Sequence, residues 1–375
     1  MQYTRMPIEI ESPEEIGYGA IRYNLAESST ADRTLADLGI DLDPATLMLR
    51  YGDHRGHPGL RDLLAAESGC KPGHVLLTPG AAGALFIAST SLLERGDHLI
   101  VLRPNYATNL ETPRAIGCEI SCLDLTFEND WRYRAEDIEA LIRPTTKLIS
   151  ITTPHNPTGT VLPAEELRRI VALAERRGVW LLVDETYRDL QVAEPALFAT
   201  SLSERVISVA SLSKAYGLPG LRLGWLLTRS VALAERFLAA KEQIVLCGPI
   251  IEEEIGFQVY RQRAALRPAI AAFVAERIGI VARWIAGHPA VEWIAPSGGV
   301  VCFPRIKPGL LPVDPDQFYR SLTENHGTYV GAGHWFEQDR RHFRLGFGWP
   351  ARPDLVAGLA GIDAALEPFI FRPGP

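Results

Sequence analysis

The run SLSKAYGLPGLRLGW, residues 211–225, sets Lys214 among two serines, a tyrosine, a Gly-Leu-Pro-Gly turn and Arg222. The chain's 38 basic residues are nearly all arginine, so a lysine in this setting stands out. A solvated surface lysine needs no such context. A lysine that becomes a neutral amine, forms an imine and sits beside a phosphate does. Three more polar residues each follow an apolar run: Asn156 in TKLISITTPHNPTGT, Asp184 in LLVDETY, and Ser211 itself. A buried acid such as Asp184 needs a partner, because unpaired burial of charge is costly.

These residues need elements to hold them. HPGLRDLLAAES has apolar residues at helical spacing. GHVLLTPGAAGALFIASTSLLERG reads as a strand, a glycine turn and a helix ending at Gly96. DHLIVLRPNY, TKLISITTPHNPTGT, VWLLVDETY and RVISVASLSK read as strands, and EELRRIVALAERRG as an amphipathic helix. The alternation predicts an α/β fold with a mostly parallel sheet. Ligands of such sheets bind outside the carboxyl ends of the strands, where Asn156, Asp184, Ser211 and Lys214 fall. After about residue 230, SVALAERFLAAKEQIV and EEEIGFQVYRQRAALRPAIAAFVAERIGIVARWIAG predict long helices. GGVVCFPRI and HFRLGFGW predict strands, and PDLVAGLAGIDAALEP a closing helix. The expected organisation is an irregular N-terminal segment over 1–45, a large domain over 46–245 and a smaller α+β domain over 246–375.

Composition narrows the function. A net charge of −7 argues against nucleic acid or an anionic membrane as the main partner. Five irregularly spaced cysteines point to a reducing, cytoplasmic compartment, and no pair has zinc-knuckle spacing, so no metal is expected. MQYTRMPIEIESPEEIGYG lacks the apolar core of a signal peptide, and no apolar run is long enough to span a bilayer.

Pyridoxal 5′-phosphate (PLP) would use all of these groups. Its aldehyde takes a lysine, and its protonated ring nitrogen takes a buried carboxylate such as Asp184. Its 3-oxygen takes donors, for which Asn156 and Tyr187 serve. Its phosphate takes backbone N–H groups at a helix start, a hydroxyl and an arginine: TPGAAGAL at 78–85, Ser211 and Arg222. Tyr106 in RPNYAT offers a ring to stack on it. Each residue also has a plainer reading: Asp184 as a helix cap, Tyr106 as core.

Taken together, YGDHRGHPGLRDLLA, TPGAAGAL, RPNY, PHNPTGT, VDETY, SLSKAYGLPGLRLGW and FRLGFGW resemble, in order, the class I/II aminotransferases, PLP enzymes of fold type I. The resemblance implies that Lys214 is the Schiff-base lysine and the proton-moving base. It implies Asp184 on the pyridinium, Asn156 and Tyr187 on the 3-oxygen, and Tyr106 stacked on the ring. Gly80, Ala81, Ala82, Ser211 and Arg222 would hold the phosphate. Tyr51 would reach a phosphate in the neighbouring subunit of a homodimer, and Arg344 would clamp the substrate α-carboxylate. For Tyr51 and Arg344 the alternatives are a core aromatic and a structural salt bridge. The implied reaction moves an amino group from an α-amino acid to a 2-oxo acid, with ping-pong kinetics.

Two stretches depart from the pattern. In NLAESSTAD, Glu27 and Asp32 bring negative charge where relatives have a glycine- or proline-containing cover. A carboxylate there can pair with a cationic substrate side chain, or Glu27 can cap a helix or face water. In GTYVGAGHWFEQ, His334 and Trp335 can line the substrate entrance, or the histidine can bond within its loop. The departures keep open a C–S β-lyase or an oxidative or decarboxylating enzyme. A DNA-binding regulator built on the same fold would need a basic N-terminal module, which is not seen here.

Overall fold

The computed structural model describes residues 1–43, 45–195, 197–308 and 314–370. Alternation within the apolar strands decides how the sheet is built. In His98–Arg103, Leu99 and Val101 pack on one face, and Ile100 and Leu102 on the other. Leu148 and Leu182 join the first face, while Ile149, Ile151, Leu181 and Val183 join the second. Strands apolar on both faces belong in a sheet covered by helices on both sides.

Among the described residues, seven strands form that sheet. In spatial order they are Val75–Pro79, Leu223–Thr228, Val206–Ser211, Trp180–Asp184, Thr146–Thr152, His98–Arg103 and Glu119–Asp124. Leu223–Thr228 runs against both neighbours, and the other pairings are parallel. Gly80–Leu92 and Val231–Glu242 cover the first face with Ala84, Leu85, Ile87, Leu233 and Phe237. Ala164–Arg177 covers the second with Ile170, Val171, Leu173 and Ala174. Each fully buried Leu or Ile contributes about 1.5–3 kcal/mol, so these layers hold the strand ends firmly. Thr152 pairs with Asp184, and Ser211 with Gly224, so the chain leaves the sheet at one end carrying Asn156, Tyr187 and Lys214.

Several boundaries differ from the sequence expectation. The helix after the glycine turn stops at Leu92, and the long C-terminal helical run breaks at Arg261–Gln262 into Ile250–Tyr260 and Arg263–Ile285. GGVVCFPRI is two short strands, Val301–Cys302 and Arg305–Ile306. The first of these joins Phe343–Gly346 and Gly331–Ala332 in a separate three-stranded sheet. The N-terminal segment is not wholly irregular. It holds short helices Pro7–Ile10 and Pro13–Ile16, each with proline at its first turn, where the missing N–H costs nothing. Tyr23–Asn24 then pairs parallel with Thr328–Tyr329, which fixes the path of the residues that follow. Among the described residues no helix is long and apolar enough to cross a membrane, and no cluster of metal-ligating side chains is found.

Candidate active site

The ends of the central strands open on a cavity of about 650 Å³. Asn156, Asp184, Tyr187, Ser211, Lys214, Arg222, Arg344, Tyr106, Ala81, Ala82 and Glu27 all line it. Sequence-distant residues, picked out by type, spacing or resemblance, thus meet in one place. Gly80 sits just behind the lining. Tyr51 and His334 are not part of it.

Lys214 lies three residues past the strand Val206–Ser211, and its Nζ donates to Ser28 Oγ at 3.0 Å. Burial pushes its ammonium below the usual lysine range; Glu27 pulls it back up and Arg344 pushes it down. Asp184 ends its strand buried. Its Oδ1 accepts from Thr186 N at 3.0 Å and Thr186 Oγ1 at 2.5 Å. Burial raises its pKa against the pull of those bonds, and among the described residues no basic side chain forms an ion pair with it. The Tyr187 hydroxyl is buried without a hydrogen bond, although Ser28 lies beside it, and burial pushes its pKa up to about 12.

Gly80 begins the helix Gly80–Leu92 at φ 70°, and no side chain caps that helix. Its first N–H groups therefore have no helical partner and no cap. A Cβ at Gly80 would lie 2.5 Å from Arg222 Nη2, so glycine is what lets the guanidinium approach. Arg222 itself adopts φ 51°, with Nη1 donating to the Pro219 carbonyl at 3.0 Å. Ser211 is buried, and its Oγ accepts from Ser213 N at 3.3 Å.

Arg344 comes from Phe343–Gly346 in the small sheet and is buried. Nη1 donates to Asn156 Oδ1 at 3.2 Å and Nη2 to the Ala26 carbonyl at 2.7 Å, while Nε has no partner. It is not held in an ion pair with any described residue. Glu27 neither caps a helix nor simply faces water: half-buried, it accepts from Tyr18 OH at 3.1 Å. His334 turns away from the cavity, with Nε2 on the Glu11 carboxylate at 2.9 and 3.0 Å. Trp335 donates to the same carboxylate at 2.7 Å and does reach the cavity wall. Tyr51 is 80% exposed.

The family model for aminotransferase class I and II matches residues 36–352. The chain belongs to the class I and II aminotransferases. It is 30% identical to a capreomycidine synthase of Streptomyces vinaceus over 93% of this chain and 91% of that protein. It is 28% identical to an arginine–pyruvate transaminase of Pseudomonas aeruginosa over 81% and 79% of the two chains. A PLP-dependent aminotransferase structure from Streptococcus suis superposes with a TM-score of 0.90 at 28% identity, covering 100% of both chains. The architecture is that of fold type I, and the family depends on PLP.

For an enzyme of this family, the residues present fit the cofactor on four observations. A buried carboxylate lacks an ion-pair partner. A buried phenol lacks a hydrogen bond. A helix start beside an arginine is uncapped. A lysine amine is destabilised in its charged form. Sequence reading missed Ser28 and Thr186, which hold the lysine and the carboxylate. Ser28 sits in a segment with no motif of its own. Thr186 stands inside VDETY, where a hydroxyl two residues past a buried acid is a signal that could have been used. Tyr18 was missed as well, because only the tertiary fold brings its hydroxyl to Glu27.

Proposed function

We propose that this enzyme transfers the amino group of an α-amino acid to a 2-oxo acid, using PLP held by Lys214. The observation that carries this reading is the convergence of Lys214, Asp184, Tyr187 and Arg344 on one cavity. When bound there, PLP supplies an electron sink for the pair released at the substrate Cα. Asp184 keeps the ring nitrogen protonated, its own charge held by Thr186. Asn156 and Tyr187 donate to the 3-oxygen, which answers the unpartnered phenol. Ala81 and Ala82 N–H, Ser211 and Arg222 would hold the phosphate at the uncapped helix start, and Tyr106 would offer its ring to the cofactor. Arg344 binds the substrate α-carboxylate through donors left free by Asn156 and Ala26. Once the substrate amine has taken its place on the cofactor aldehyde, the released Lys214 Nζ, favoured as a neutral amine by burial, would take the proton from Cα, and Ser28 would orient it.

The exposed Tyr51 lies beside Met48 and Leu49, which are 68% and 74% exposed. An apolar run standing clear of its own chain supports a homodimer in which Tyr51 serves the neighbouring site. Sedimentation of the holoenzyme as a monomer at micromolar concentration would remove that assignment.

A second reading has a specific support. The relative matched over 93% of this chain is named a synthase, not a transaminase. PLP chemistry diverges by which bond at Cα or beyond is broken, and the same lysine and aspartate serve several outcomes. The deciding experiment incubates the PLP-loaded enzyme with single amino acids, with and without a 2-oxo acid acceptor. Sustained conversion only with the acceptor, giving parallel double-reciprocal plots, supports transamination. Ammonia, pyruvate or carbon dioxide released without an acceptor supports the second reading instead.

A further inference from the structure

We infer that this site selects an amino acid whose side chain carries a cation, a guanidinium or an ammonium, and that Glu27 is the residue that reads it. The inference rests on the reading above for the amino-acid backbone. Glu27 stands between the two groups assigned to that backbone. Its predecessor Ala26 accepts from Arg344 Nη2 through the carbonyl, and its successor Ser28 accepts from Lys214 Nζ. Glu27 lines the same cavity and interacts electrostatically with both Lys214 and Arg344, so its carboxylate faces the space a side chain on that α-carbon enters.

Glu27 itself lacks the counter-charge its position calls for. Its hydrogen-bond partner among the described residues is the neutral Tyr18 hydroxyl, and no described basic side chain forms an ion pair with it. Burial raises its pKa. The nearby Glu14 charge adds to that, while Lys214 and Arg344 oppose it. Glu14 and Asp32 line the same wall, so the negative charge is a feature of the wall and not of one residue. Tyr18 also lines this wall; it stacks on Trp349 with centroids 5.7 Å apart and planes 14° apart, and Trp349 Nε1 donates to Asp32 at 2.9 Å. Carboxylates beside flat aromatic faces suit a guanidinium or ammonium.

The free donors of the same cavity serve the cofactor and the α-carboxylate in the reading above. Tyr187 OH and Arg344 Nε are buried, line the cavity and have no partner. A dicarboxylic substrate would need another cation. Among the described residues that line the cavity in this chain, the cation not already assigned is Arg5, and Glu15 pairs with it at 3.2 Å.

The test follows the absorbance of the PLP-loaded enzyme during titration with matched amino acids. Arginine is compared with citrulline, lysine with norleucine, and glutamate serves as the acidic control. A charge-assisted contact of this kind predicts half-saturation at about ten- to hundredfold lower concentration for the cationic member of at least one pair. In Glu27→Gln that ratio falls toward one; thermal unfolding of the variant checks that it folds. Glu27→Lys, as a second variant, should favour glutamate over arginine. Equal response to cationic and neutral members, or a ratio that survives Glu27→Gln in a folded protein, overturns the inference and leaves the functional reading standing. If no amino acid perturbs the absorbance at all, the functional reading falls and takes the inference with it.

Discussion

Asp184 and Glu27 are carboxylates in one cavity, held in opposite ways. Asp184 ends a central strand, is 5% exposed, and takes two hydrogen bonds from Thr186. Glu27 follows a two-residue strand, is half-buried, and takes one hydrogen bond from a tyrosine on a three-residue turn. The sheet end is backed by helices on both faces, so its side chains cannot drift. The N-terminal wall is made of short helices and turns, which can change sequence without disturbing a layer of the core. Asp184 and Lys214, assigned above to the shared chemistry, sit at the first, and Glu27, assigned to substrate choice, sits on the second beside Ser28, which touches Lys214. We propose this division as the organising principle of the site.

The largest expected effect lies at the sheet end. Lys214→Ala should reduce turnover at least about a thousandfold, since it removes both the covalent attachment and the base. The visible absorbance of the bound cofactor should change with it. A variant with near-normal turnover would end the comparison, because the rigid half would then hold no chemistry. Asp184→Ala comes next, with a loss in kcat of about 10²–10³-fold, the range seen when one preorganised electrostatic group is removed. Near-normal kcat would take Asp184 out of its role. Arg344→Ala bridges the two halves, because it touches Asn156 and Ala26 at once. Its expected effect is a rise in KM of about ten- to hundredfold with a smaller change in kcat. An unchanged KM would leave the α-carboxylate without its assigned partner.

The same division explains what could be read from the sequence. Strand ends are legible because an apolar run that stops on Asp184 or Ser211 states both its burial and its boundary. Glycines at fixed offsets, as at Gly80, state where backbone must come close to a guanidinium. The polar edge strand Glu119–Asp124 was not legible, since just one of its six residues is buried and it lacks an apolar run. The break at Arg261–Gln262 was not legible either, because the residues on both sides are good helix formers. At the N-terminal wall, the charge of Glu27 was visible but its surroundings were not. Tyr18, nine residues earlier, and Trp349, far along the chain, meet there only through the pairing of Tyr23–Asn24 with Thr328–Tyr329 and the packing around it. His334 shows the converse. A histidine in a departing motif drew attention, yet the fold spends it on Glu11, where it fastens the first helices to the loop Gly333–Phe336.

The smallest expected effect comes from the residue next to Asp184. Glu185 is buried on the same strand end, and its carboxylate accepts from Ala199 N at 3.0 and 3.2 Å. It lines no part of the cavity. Burial pushes its pKa up to about 7, from the usual value of 4.5, against the pull of Arg188. An acid with a raised folded pKa holds its proton in the folded state after the unfolded chain has released it. Stability should therefore fall as pH rises through the window between about 4.5 and 7, by something on the order of 1–3 kcal/mol, and level off above it. Glu185→Gln keeps an acceptor for Ala199 N and removes the titration. Between pH 5 and pH 8 the variant should lose less Tm than the parent, by a few degrees. Both proteins share every other titrating group, so the difference isolates this one. Parallel profiles would mean that Glu185 is already ionised at pH 5. Burial beside a strand end would then not suffice to raise a carboxyl pKa here, and Asp184, whose hydrogen bonds from Thr186 already pull toward the charged form, would be expected to stay ionised too.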